Sequence, residues 1–71
     1  MILKVNSMYR VEGGYLVPRS HATSSKGERY AIFQKLDVKP DGSYITSHIT
    51  LSTRELKKYF KLEKGERIEI V

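Results

Sequence analysis

The sequence predicts a mainly β fold of the α+β kind, a small barrel or roll with the order β-β-β-β-α-β, forming one domain over residues 1–71. Three observations predict it. Apolar residues alternate at period two through most of the chain. Glycine-bearing turn signals follow one another closely, at Gly13-Gly14, Lys39-Pro40-Asp41-Gly42-Ser43 and Glu63-Lys64-Gly65-Glu66. One stretch, Leu51-Ser52-Thr53-Arg54-Glu55-Leu56, carries a helix start. A helix between the fourth and fifth strands suits an SH3-like barrel better than an OB-fold.

Residues 1–12 read as one long strand, with Leu3, Val5, Tyr9 and Val11 on one face and a bend or bulge near Asn6 and Ser7. Gly13-Gly14 then reads as a tight hairpin turn with both glycines at positive φ. Tyr15-Leu16-Val17 returns as the second strand, which Pro18 ends or confines to an edge, because proline has no N–H to give a ladder. Arg19 to Glu28 has no periodicity and reads as a mobile loop. The tetrapeptide Leu16-Val17-Pro18-Arg19 is similar to a thrombin recognition sequence, so such a loop would be open to cleavage.

Arg29 to Val38 is the third strand, with Tyr30, Ile32, Leu36 and Val38 on one face and Ala31 and Phe33 on the other, so both faces are expected to be covered. Pro40 and Gly42 supply the fixed and the positive φ of a turn. Tyr44 to Leu51 follows, Ile45, Ile49 and Leu51 inward, and Tyr44, Thr46, His48 and Thr50 outward. Ser52 and Glu55 have capping-box spacing, and Leu51 and Leu56 flank them as a hydrophobic staple. The helix is short, near residues 53–60, with Leu56, Tyr59 and Phe60 on its apolar stripe. Gly65 turns the chain into a last strand at Arg67-Ile68-Glu69-Ile70-Val71.

A chain of 71 residues buries only roughly 60% of its unfolded surface, so its own core leaves it marginal and self-association is expected. The absence of cysteine removes disulfides and thiolate metal clusters from consideration. With no signal-peptide pattern and no long apolar run, the expectation is a soluble cytoplasmic protein with no membrane partner. Thirteen Lys and Arg against eight Asp and Glu give a net charge of +5, which favours an anionic partner.

No enzyme is expected, and no cofactor or metal. Ser20, His21 and Glu28 contain the residue types of a hydrolase triad, but nothing beside them marks an oxyanion hole or nucleophile turn. His21 and His48 read as ordinary exposed residues. Ser24-Ser25-Lys26-Gly27 lacks the glycine spacing of a phosphate loop. Positive charge is the stronger signal. Arg54, Lys57, Lys58, Lys61 and Lys64 crowd the helix and its exit, and Arg19, Lys26 and Arg29 bracket the loop. Both patches are candidate phosphate contacts. Tyr44, outward beside Thr46 and His48, is a candidate to stack a base or anchor a protein.

The run Leu56-Lys57-Lys58-Tyr59-Phe60-Lys61-Leu62-Glu63-Lys64-Gly65-Glu66-Arg67-Ile68-Glu69-Ile70 resembles the helix-turn-strand half of swapped-hairpin AbrB and MazE-type proteins. It has the leucine, basic pair, large apolar residue, second leucine, glycine-acid pair and alternating strand. The glycine, basic residue and proline that precede the helix in that family are replaced here, and the resemblance covers only the final third. It implies a dimeric DNA-binding regulator, without assigning contacts to particular residues. The sequence therefore points to a small basic nucleic-acid-binding protein, more readily of DNA than RNA, contacting phosphates through a Lys/Arg helix face. The alternative is a protein-binding module or small inhibitor from a mobile element that docks an acidic protein surface.

Overall fold

The computed structural model describes residues 1–63 and 65–71. Its elements run β1 Ile2–Leu3, β2 Tyr9–Val11, β3 Gly14–Thr23, β4 Arg29–Val38, β5 Tyr44–Ser52, α1 Thr53–Phe60 and β6 Glu69–Ile70. Strands β2-β3-β4-β5 form an antiparallel sheet in that order, while β1 and β6 pair in parallel as a separate ribbon. The predicted order of elements holds, but the two sheets do not join into a closed barrel.

The expected first strand is two strands serving two sheets. Asn6 takes φ 68 and Ser7 N donates to Lys4 O at 3.2 Å, so the interruption is a turn rather than a bulge. It releases β1 to the ribbon, which is extended by Val5 N to Val71 O and Val71 N to Leu3 O, both 2.8 Å. Asparagine tolerates this left-handed backbone better than most residues.

The β2-β3 hairpin pairs Val11 with Gly14, leaving Glu12 and Gly13 as its loop. Only Gly13 has positive φ, at 83. Gly14 is needed for a different reason: a Cβ there would overlap the Leu36 carbonyl oxygen of the adjacent strand.

The segment Arg19–Thr23, expected to be loop, continues β3. Ser20, His21, Ala22 and Thr23 pair with Ile32, Ala31, Tyr30 and Arg29. A bulge between Pro18 and Ser20 sets this register. Pro18 itself is fully buried, and its carbonyl turns away from β4 to accept from Asn6 N at 2.8 Å, so the missing N–H is on the side of the β1-β2 turn and costs the β3-β4 ladder no bond. The bulge also reverses which residues face inward. Before it Leu16 and Pro18 share the face of Phe33 and Lys35; after it His21 and Thr23 share the face of Ala31 and Arg29. Only Ser24 to Glu28 is a turn, closed by Ser24 N to Glu28 O at 2.8 Å, with Gly27 at φ 84.

One face of the sheet is packed. Leu16, Ala31, Phe33, Leu51 and Val11 meet Leu3 from β1, Leu56 from α1, and Ile68. Tyr9 and Phe60 add an edge-to-face contact, with centroids 6.4 Å apart. The other face is not covered as expected: Ile32 is 41% exposed and Val38 49%. Nor does the core reach the start of β5, where Ile45, expected inward, is 52% exposed. The helix and ribbon cover the packed face from Leu51 and Ala31 as far as Lys35 and the β2-β3 hairpin, and stop short of Ile45.

Helix α1 begins where the capping box places it. Ser52 Oγ accepts from Glu55 N at 3.3 Å, and Ser52 N donates to Glu55 Oε1 at 3.4 Å. Leu51 and Leu56 are buried as its staple. Lys61, at φ 51, closes the C-terminus, and Leu62 N reaches back to Lys57 O. No helix among the described residues is long and apolar enough to cross a membrane.

Candidate nucleic-acid interface

The groove that concentrates positive charge lies where β4 starts, α1 starts and the chain enters β6. Arg29 is the first residue of β4 and lies, by alternation with Ala31 and Phe33, on the packed face. Thr53, the first residue of α1, donates from Oγ1 to Arg29 O at 3.3 Å, tying the helix start to that strand. Lys57 is one turn further on the same side of the helix. Arg67 arrives from the opposite wall, next to buried Ile68. Together Arg29, Lys57 and Arg67 line a groove of about 260 Å³, with Thr53, Ile68 and Glu69. A cleft of about 340 Å³ adjoins it and shares Arg29 and Glu69, with His21 and Thr23 on its wall.

Three cations against the single carboxylate of Glu69 leave this surface positive. The ion pair among the described residues is elsewhere, Lys35 Nζ to Asp37 Oδ1 at 3.4 Å. Burial alone would lower the Lys35 pKa, but the Tyr59 and Asp37 side chains outweigh it and hold the ammonium above its ordinary value. Lys35 also lies 5.7 Å from the Tyr59 ring centroid. It is thus occupied in the fold, whereas Arg29, Lys57 and Arg67 make no ion pair among the described residues.

The structure joins members of the two predicted patches and separates others. Arg29 and Lys57, from different patches, line the same groove. Arg54, Lys58 and Lys61 are exposed around the same short helix, and Lys26 is exposed in the turn joining Thr23 to Arg29. Lys64 lies outside the described residues. Arg19 does not line the groove: its guanidinium donates to Asn6 Oδ1 at 2.7 Å and Gln34 Oε1 at 2.6 Å, bracing the β1-β2 turn against the sheet. Tyr44 is 61% exposed but stands at the far end of β5, roughly 27 Å of strand from Ser52.

Two of the lining residues, Arg67 and His21, are not marked as site residues by the sequence. Arg67 reads only as a strand residue, although its alternation with Ile68 separates it from the buried side. His21 reads as a loop residue, and only the bulge turns it toward the cleft. The same register puts Ser20 and His21 on opposite faces, so they do not form a serine-histidine pair. Among the described residues no group of three or more His, Asp or Glu is placed to hold a metal ion. No protein-family model, curated protein or solved structure matches this chain.

Proposed function

We propose that this protein binds nucleic acid, DNA in preference to RNA, by holding backbone phosphates in the groove of Arg29, Lys57 and Arg67. The observation that carries the proposal is the convergence of three cations from β4, α1 and the approach to β6, each without a carboxylate partner among the described residues. Arg54, Lys58 and Lys61 extend the positive surface around the helix, and Lys26 extends it at the adjoining turn. Phosphate contacts of this kind give affinity and position, with little sequence discrimination. The reading includes a dimeric, cytoplasmic, cofactor-free regulator, in keeping with the resemblance of the C-terminal third to AbrB and MazE-type proteins, and assigns the protein no catalytic activity.

Fluorescence anisotropy with duplex DNA, single-stranded DNA and RNA of equal length tests it. Duplex binding that weakens steeply with salt is the expected result. Absence of binding to all three at low salt contradicts it. A second reading, docking of an acidic protein, is favoured by the exposure of Tyr44 and Ile45 at the opposite end of the sheet. Under that reading Tyr44→Ala abolishes capture of the partner, while Lys57→Glu leaves nucleic acid irrelevant to it.

A further inference from the structure

We propose that two copies of this chain join through their β5 edges, antiparallel and centred on His48, making one continuous eight-stranded sheet. This gives a surface and a register to the dimer and does not rest on nucleic-acid binding.

The two edges of the sheet are treated differently. On the β2 side the edge strand has three residues, and beyond it β3 carries Pro18, a bulge and the braced Arg19. Each of these discourages a further strand. Strand β5 has none of them. It runs nine residues, Tyr44–Ser52, pairs with β4 in unbroken register, and among the described residues has no strand on its other side. Its residues are mostly β-branched or aromatic, and it contains no proline.

Charge selects a second copy as the occupant. From Ser43 to Thr53 the sequence has no Asp, Glu, Lys or Arg, in a chain otherwise rich in them. Two molecules that each carry +5 can therefore meet along this seam without opposing like charges at contact. Antiparallel pairing also sends the two α1 helices, with their lysines, to opposite ends of the seam; parallel pairing would bring them together.

The residues fit a twofold axis through His48. Thr46 then faces the partner's Thr50 on the exposed face, and Ile45 faces the partner's Leu51 on the packed face. Ile45, half-exposed in the single chain, gains an apolar neighbour where the core falls short. Like faces meet like faces, as an isologous sheet extension requires.

The test needs no nucleic acid, so its failure is distinct from failure of the proposed function. Sedimentation equilibrium of the wild type is expected to give twice the chain mass. Thr46→Lys with Thr50→Lys, both at exposed positions, is expected to give the monomer mass with an unchanged circular-dichroism spectrum. Because the chain has no cysteine, cross-linking reads the register separately. His48→Cys should oxidise readily to a disulfide dimer, since directly paired strand positions lie about 4.5–5.5 Å apart. Tyr44→Cys should not, since the two copies would lie roughly 27 Å apart. A wild type that remains monomeric up to millimolar concentration overturns the proposal. So does a lysine variant that remains dimeric, or a disulfide that forms at Tyr44 and not at His48.

Discussion

Arg19 and Arg29 belong to one hairpin and to one predicted patch, yet the fold uses them in opposite ways. The Arg19 guanidinium is taken up by Asn6 and Gln34, which join the turn after β1 to the middle of the sheet. Arg29 contributes its carbonyl to the fold, through Thr53, and its side chain lines an open groove with Lys57 and Arg67. Formal charge does not separate them. What separates them is whether the chain already supplies acceptors: a cation with internal partners braces the fold, and one without them remains available to an external anion.

The largest effect expected from this contrast is that of Arg29→Glu. It places a carboxylate beside Glu69 and should weaken duplex DNA binding roughly tenfold to a hundredfold at low salt, read by anisotropy. Its unfolding free energy should change by less than about 1 kcal/mol. Arg19→Ala should do the reverse. Loss of two exposed hydrogen bonds costs about 1 kcal/mol, seen as a lower urea midpoint, with less than a twofold change in affinity. The smallest effect belongs to Lys26→Ala, since Lys26 has no partner among the described residues and no place in the groove. Stability within about 0.5 kcal/mol of wild type and an affinity change under about twofold are expected there. If Arg19→Ala lost affinity as Arg29→Glu does, the contrast would collapse into a general effect of net charge.

Features governed by neighbours in sequence were legible without the structure. The capping box of Ser52 and Glu55 marks the helix start, and Pro40-Asp41-Gly42 marks a turn that forms with Gly42 at φ 90 and Asp41 Oδ1 accepting from Ser43 N at 3.0 Å. The end of β3 was not legible, because Ser20 to Thr23 are exposed on both faces and give no apolar rhythm to read. Its register is imposed by β4. The likeness of Leu16-Val17-Pro18-Arg19 to a protease site misled in the same way, since Leu16, Val17 and Pro18 are buried in strand. The groove was half legible. Arg29 and Lys57 stand out by charge, but their meeting with Arg67 depends on β1 leaving the sheet to pair with β6. That departure turns on Asn6, whose left-handed backbone an alternating pattern does not reveal.

Phosphate binding at the groove is tested most directly by the salt dependence of duplex DNA affinity, compared between wild type and the triple variant Arg29→Gln, Lys57→Gln and Arg67→Gln. Each phosphate contact contributes about 0.9 to the slope of log affinity against log salt. The wild-type slope should therefore exceed that of the triple variant by about 2 to 3. Equal slopes, with affinity lost or kept, would contradict the assignment of phosphate contacts to Arg29, Lys57 and Arg67.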